Sequence, residues 1–225
     1  VVSLCPFVVS LCPFVVSLCP FVVSLSNHAS HPRAILWQVR DGRSKMRIIA
    51  GKWRGRKIVA PKGETTRPTA DRTRERLFSM LTSRLGDFED LQILDLFSGS
   101  GALGLEALSR GAAHCTFVEQ DKDALRALEK NVETLAADAD IRVGSVLHLG
   151  QARKPYDLIL MDPPYDSGAG AVALDKLGRH GWFAPSSWIA IETARHENVD
   201  VKGFDLDCTR DSGKARLHIL RPVAL

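Results

Sequence analysis

Cysteine contributes little to this sequence. Of five cysteines in 225 residues, Cys5, Cys12 and Cys19 belong to a repeat, and Cys115 and Cys208 stand far apart. There is no Cys-x-x-Cys pair and no Cys/His cluster at metal spacing, so neither a disulfide framework nor a zinc-type site is indicated, and no metal is expected. This usage fits a reducing compartment, the cytoplasm. Cys115 reads as a small hydrophobe in a buried strand. His114, His148, His180, His196 and His218 follow no regular spacing and read as surface or edge positions. Charge is missing altogether from residues 1–25. There Val-Val-Ser-Leu-Cys-Pro-Phe occurs three times in tandem from Val1 to Phe21. An uncharged run of this kind would ordinarily suggest a membrane span or a secretory signal. Pro6, Pro13 and Pro20 would break any helix through it, and no positive region precedes it, so neither is expected. Residues 1–45 therefore read as disordered, or as upstream sequence translated through a mis-assigned start, with the working protein beginning at Met46.

The remaining composition is ordinary. At 45% hydrophobic and 25% charged, the chain can bury one good core with a small appendage. A net charge of +4 conceals an asymmetry. Residues 46–86 hold 11 Lys/Arg against 3 Asp/Glu, whereas residues 87–225 hold 15 against 22. A basic arm on an acidic body suits a polyanion binder; a plain solvated basic face is the competing reading.

Residues 47–61 predict a basic β-hairpin with Gly51-Lys52-Trp53-Arg54-Gly55-Arg56 at its turn. Pro68-Thr69 introduces a helix over about 71–85, with Leu77, Phe78, Leu81 and Leu85 at helical spacing. Strands and helices then alternate. Strands are expected at 91–97, 114–119, 141–143, 157–161 and 188–192, and helices at 102–110, 122–136 and, more weakly, 171–177. Two β-rich pieces, 204–209 and 215–220, close the chain. The alternation predicts an α/β fold with a doubly wound parallel sheet, and the final hairpin should add an antiparallel strand at or near an edge.

Two motifs carry chemistry. The first is the turn Asp95-Leu96-Phe97-Ser98-Gly99-Ser100-Gly101 after the first strand of the sheet. Gly99 and Gly101 let the backbone approach a nucleotide-like cofactor, and the next helix offers its N-terminal N–H groups. Glu119, twenty residues beyond Gly99, stands where an acidic group takes ribose hydroxyls. The same pattern suits a nicotinamide enzyme. Asp95 favours S-adenosylmethionine, because a carboxylate there can meet the cationic methionine portion; it could also cap the loop by bonding backbone N–H groups. The second motif is Asp162-Pro163-Pro164-Tyr165, at the end of an apolar strand. An exocyclic aryl amine is a poor nucleophile, since its lone pair is delocalised. Asp162 and the carbonyl of Pro163 can accept its N–H bonds, the prolines stiffen the turn, and Tyr165 offers a ring on which an extruded base stacks. A plain strand-ending turn is the bland alternative.

These stretches resemble a known family. From Met46 to about Leu220 the chain is similar to the bacterial 16S rRNA (guanine(966)-N(2))-methyltransferases. The likeness rests on Arg47-Ile48-Ile49-Ala50-Gly51-Lys52-Trp53-Arg54-Gly55-Arg56, Arg67-Pro68-Thr69, Arg72 to Phe78, Asp95 to Ala107, Val118-Glu119 and Asp162 to Tyr165. The resemblance implies a class I S-adenosylmethionine-dependent methyltransferase fold of seven strands with a basic N-terminal hairpin. It implies an RNA-binding extension at 46–86 and a catalytic domain at 87–225. Asp162, Pro163 and Tyr165 would meet the target base, Glu119 the ribose, and Asp95, Phe97, Gly99 and Gly101 the methionine portion. Arg67, Thr69 and Arg72 would lie near cofactor or RNA. Lys52, Trp53, Arg54 and Arg56 would contact RNA, with Trp53 at the hairpin tip as a stacking candidate. Where the family often has an acidic residue near the adenine, this chain reads Val143-Gly144-Ser145-Val146, leaving Ser145 or backbone N–H groups for that contact. The implied partner is 16S rRNA in an assembled or nearly assembled small subunit, with a monomeric enzyme and no membrane.

Three rival readings remain at this point. They are an amino methyltransferase acting on DNA adenine or a protein glutamine, a nicotinamide oxidoreductase, and a non-catalytic RNA-binding module. Trp182 and Trp188 flank a proline turn and read as packing residues.

Overall fold

A computed structural model describes residues 46–61 and 68–223, without the side chains of Pro68 and Thr69. The expectations for residues 1–45, for Arg67 and for the Thr69 side chain lie outside the described residues. The elements run α1 (Pro68–Leu85), β1 (Gln92–Leu96), α2 (Ala102–Ser109), β2 (His114–Glu119), α3 (Lys122–Leu135), β3 (Ala139–Val143), a 3₁₀ turn (Val146–His148), β4 (Tyr156–Met161), α4 (Ala169–Arg179), β5 (Phe183–Ala194), β6 (Phe204–Ser212) and β7 (Ala215–Pro222).

The seven strands form one sheet in the order β3-β2-β1-β4-β5-β7-β6. β1 to β5 are parallel, while β7 runs antiparallel between β5 and β6. The order reverses beside β1, which pairs with β2 on one side and β4 on the other. This reversal opens a crevice at the C-terminal strand ends, where doubly wound sheets bind ligands.

Alternate residues of the central strands face two cores, as a period of two requires. Ile93, Leu158, Leu160 and Ala190 pack with Leu77 and Phe78 of α1, Leu105 and Leu108 of α2 and Leu128 of α3. Leu94, Leu96, Ile159, Met161 and Ile191 pack with Ala173, Leu174 and Leu177 of α4 and with Trp182. Helix α3 is amphipathic and starts cleanly, because the Asp121 side chain accepts from the N–H groups of Asp123 and Ala124. Trp182 is buried, and Trp188 packs against the other core with the Arg221 guanidinium over its ring, so both serve as packing residues. His218 does not match its expected surface position. It lies in the middle of β7, 1% exposed, with Nε2 3.0 Å from the Thr193 hydroxyl.

The segment before α1 also differs from expectation. Instead of a β-hairpin ladder, it forms a single antiparallel bridge, Arg47 to Lys57, around a turn at Gly51–Gly55. Its backbone is held from outside. Glu106 of α2, fully buried, accepts from the N–H of Ile49 at 2.7 Å and of Ala50 at 3.0 Å. Ser109 accepts from Trp53 N–H, and its carbonyl accepts from Lys52 N–H. Asn131 of α3 pairs with both N–H and C=O of Val59. Gly51 lies so close to the C-terminus of α2 that a Cβ there would sit 1.8 Å from the Ser109 carbonyl oxygen, which only glycine permits.

Candidate active site

The pairing of Leu96 with Met161 sets the two sequence motifs side by side, because each strand ends there and its functional turn begins. The glycine-rich turn follows β1. Gly99 and Gly101 both adopt positive φ, 55° and 80°, which the tight reversal into α2 demands. Gly101 also sits against Leu128, where a Cβ would approach Cδ1 to 2.5 Å. A Cβ on Gly99, by contrast, would meet nothing within 4 Å, so this stretch of backbone borders open space. Helix α2 begins at Gly101 without a side-chain cap. An accessible loop backbone and a helix whose cap residue carries no side chain fit the polar portion of a nucleotide-like cofactor. Phe97, between strand and glycines, holds φ at 58°, a region that an aromatic residue adopts only under constraint from its surroundings.

Two carboxylates hold this rim in shape. Asp95 is 1% exposed, and its Oδ2 accepts from Gly104 N–H at 2.8 Å. Its side chain lies between β1 and α2, where it fixes the loop, the alternative weighed from the sequence. Burial pushes its pKa well above the ordinary carboxylate range, against the Gly104 hydrogen bond, with Asp162 and Glu119 adding to the rise. Glu119 ends β2. Its Oε2 accepts from Gly99 N–H at 2.7 Å, and its Oε1 accepts from Gln120 and Asp121. Gly144 N–H donates to the Glu119 carbonyl, which brings the Gly144-Ser145 turn to the same rim. Ser145 caps the 3₁₀ turn through Leu147 N–H.

Across the crevice, Asp162 follows β4 and is exposed, while Pro163 is buried. A Cβ on Gly170 of α4 would come within 3.1 Å of Pro163 Cγ, so helix and proline seat each other. Tyr165 is 44% exposed, and its hydroxyl donates to Glu192 Oε1 at 2.5 Å. Burial, the Glu192 hydrogen bond and the nearby carboxylates of Glu192, Asp162 and Glu197 all push the Tyr165 phenol upward, so it stays protonated and donates. Burial likewise raises the Glu192 carboxyl, and the bond from Tyr165 opposes that rise.

Glu192 is the functional candidate that sequence reasoning missed. It lies in β5, where Ile191 pairs with Met161, so Glu192 and Asp162 are the next positions of adjacent parallel strands. Within β5, Glu192 falls on the same face as Ala190, whose partner is Leu160. The available signal was an acidic residue following the apolar run Trp188–Ile191, at the strand's C-terminal end.

The basic residues divide. Lys52, Arg54, Arg56 and Arg72 are exposed, with Arg56 also donating to the Thr134 carbonyl at 3.0 Å. Arg74 turns inward, 5% exposed, and donates to the Arg47 carbonyl and to Asp71. Trp53 overturns its expected role as an RNA-stacking tip. It is only 8% exposed, because the segment docks on α2 and carries the indole into the core shared with Phe78 and Leu105. Lys52 lies over its ring, 4.5 Å from the centroid. Among the described residues no group of His, Cys, Asp and Glu could hold a metal ion, and no helix is long and apolar enough to cross a membrane.

A seven-stranded sheet of this order, with a glycine loop after β1 and Asp-Pro-Pro-Tyr after β4, defines a class I methyltransferase, whose methyl donor is S-adenosylmethionine. Comparison with known proteins narrows that class. The family described as "Conserved hypothetical protein 95" matches residues 46–221, and this chain belongs to it. The chain is 42% identical over 154 residues to ribosomal RNA small subunit methyltransferase D of Escherichia coli K12, covering 68% of this chain and 76% of that one. It is 37% identical over 164 residues to the protein of the same name in Haemophilus influenzae, covering 70% and 83%. Among solved structures, the yhhF protein of Escherichia coli superposes with a TM-score of 0.71 at 36% identity, over 80% of this chain and 99% of that one.

Proposed function

We propose that the protein transfers a methyl group from S-adenosylmethionine to the exocyclic N2 of guanine 966 in 16S rRNA. It acts as a monomer in the cytoplasm, on the small subunit or a late assembly intermediate. The observation that carries the reading is the Leu96–Met161 pairing, which puts a cofactor-type loop and an amine-gripping turn on the two lips of one crevice. The names of the relatives support small-subunit rRNA as the substrate, and the motif resemblance supplies the guanine N2.

When bound, S-adenosylmethionine supplies an electrophilic methyl on a sulfonium whose leaving group is a neutral thioether. The Gly99–Gly101 backbone would lie against it, with Phe97, Ser145 and Thr69 in contact. Glu119, preset by its three backbone N–H bonds, would take a ribose hydroxyl through the remaining lone pair of Oε2. Asp95 acts at one remove, as a positioning residue for the loop. On the other lip, Asp162 and the Pro163 carbonyl accept the N–H bonds of the guanine amine and aim its lone pair at the methyl. Tyr165 supplies the ring against which the extruded base stacks. Lys52, Arg54, Arg56, Arg67 and Arg72 contact phosphates, making residues 46–86 the RNA-binding extension and residues 87–225 the catalytic domain.

The test is transfer of labelled methyl by the full chain to four acceptors: small subunits lacking the modification, naked 16S rRNA, duplex DNA and release-factor protein. Label on one guanine of the subunit, lost in Asp162→Ala while S-adenosylmethionine still binds, is the expected result. Label on DNA or protein alone would sink the substrate assignment. Failure to bind the donor, with reduced dinucleotide bound instead, would return the oxidoreductase reading.

A further inference from the structure

The structure places a second carboxylate beside Asp162 to which no role has yet been given. Glu192 follows Ile191, whose partner Met161 directly precedes Asp162, and its Oε1 is held by the hydroxyl of Tyr165 at 2.5 Å. That hydrogen bond ties Glu192 to the residue offered as the stacking platform. The Tyr165 hydroxyl engages one oxygen of this carboxylate, which leaves acceptor capacity on the other. The site therefore presents two acceptors, from adjacent strands, to a base lying against Tyr165.

The bases differ in what they show to such a pair. Guanine presents two donors together on one edge, N1–H and the N2 amine. Adenine and cytosine put an acceptor ring nitrogen next to their amine, and that lone pair facing a carboxylate is repelled. A single acceptor at Asp162 grips any exocyclic amine, which agrees with Asp-Pro-Pro-Tyr being a general amine-holding turn. A second acceptor in register is needed to tell guanine from the others.

We infer that Glu192 is the guanine-selecting residue of this site, accepting the N1–H of the target base while Asp162 and Pro163 hold its N2 amine. The inference rests on the guanine N2 reading above and names the group that would enforce it. Tyr165 then has two tasks, stacking on the base and orienting Glu192 through its hydroxyl.

The discriminating substrate is 2-aminopurine, which keeps the 2-amino group but carries a bare N1. Small subunits would be reconstituted with 16S rRNA bearing guanine or 2-aminopurine at the target position. Methyl transfer would be measured for wild type, Glu192→Gln and Tyr165→Phe, with donor affinity as a folding control. Wild type should prefer guanine by about 10–100-fold in kcat/KM, the range for a hydrogen bond to a charged acceptor. Glu192→Gln should bring the two substrates to within about threefold, because the amide can donate to the bare N1 as readily as it accepts. Tyr165→Phe, which keeps the stacking ring but loses the hydroxyl that orients Glu192, should narrow the preference while changing use of 2-aminopurine little.

Equal use of both bases by wild type would overturn the inference even if no variant folds. So would a Glu192→Gln enzyme that is slower on both with the preference unchanged, the signature of a residue that merely supports Tyr165. A wild-type chain that binds the donor yet leaves guanine unmodified would instead remove the substrate reading, and the inference with it.

Discussion

The two lips of the crevice handle their carboxylates in opposite ways. On the cofactor side, Asp95 and Glu119 accept from backbone N–H groups, and behind them Glu106 does the same. Such bonds set where the chain goes, and breaking one strands a buried donor. On the β4–β5 side, Glu192 is bonded by a side-chain hydroxyl from a residue 44% exposed, and Asp162 stands at the surface. The Glu192 carboxylate, bonded there by a side chain, can turn to an incoming base without unravelling a strand. One lip is built to stay fixed, the other to exchange partners.

The largest expected difference comes from the fixed side. Glu106→Ala leaves two N–H groups and Arg110 without their acceptor, and should cost about 3–5 kcal/mol in urea unfolding. Glu192→Gln should cost less than about 1 kcal/mol by the same measurement, and equal losses at the two sites would break the comparison. Trp53→Ala comes next. The indole is core rather than RNA platform, so the variant should lose roughly 3–5 kcal/mol of stability, whereas lowered RNA affinity at unchanged stability would restore the original expectation.

Asp95 gives a smaller effect that depends on pH. Its pKa is raised in the folded state, so its contribution is fully present below the unfolded value near 3.8 and is lost as pH rises through the raised folded value. Asp95→Asn keeps an acceptor for Gly104 and should flatten that loss. Stability measured from pH 4 to 8 should therefore fall less steeply in the variant, and a parallel fall would sink the idea. The smallest effect belongs to the basic face. Arg54→Ala, at an exposed position, should lower RNA affinity a few-fold and reduce the log–log salt slope by about 0.7–0.9, leaving donor binding intact.

Periodicity made much of this fold legible before the structure. Helix α3, with its regular apolar spacing and its Asp121 cap, and strand β2, with its buried Cys115–Val118 stretch, fall where the pattern puts them. β5 begins at Phe183, well before the expected 188, because Pro185-Ser186-Ser187 reads as a turn yet is carried along in the strand. The final hairpin was visible, but not that its second strand would insert between β5 and β6. Both motif turns declared themselves through glycine and proline. What stayed hidden depended on contacts distant in sequence. Basic neighbours made Trp53 look like a surface residue, and nothing local announces that Ser109 and Glu106 will draw that segment inward. Glu192 is similarly silent, since its meaning comes from a strand partner rather than from its own surroundings.

The placement of β7 bears on how the protein is made. This strand leaves the ribosome after every other strand of the sheet, yet it is the one that pairs with β5 on one side and β6 on the other. Until it emerges, β5 presents an open edge beside Glu192, and β6 has no neighbour to pair with. Glu192 itself pairs with Leu217. The nascent chain should therefore acquire a competent site only once β7 has emerged, and a truncation removing 215–222 should yield an aggregation-prone, inactive product rather than a weakened enzyme.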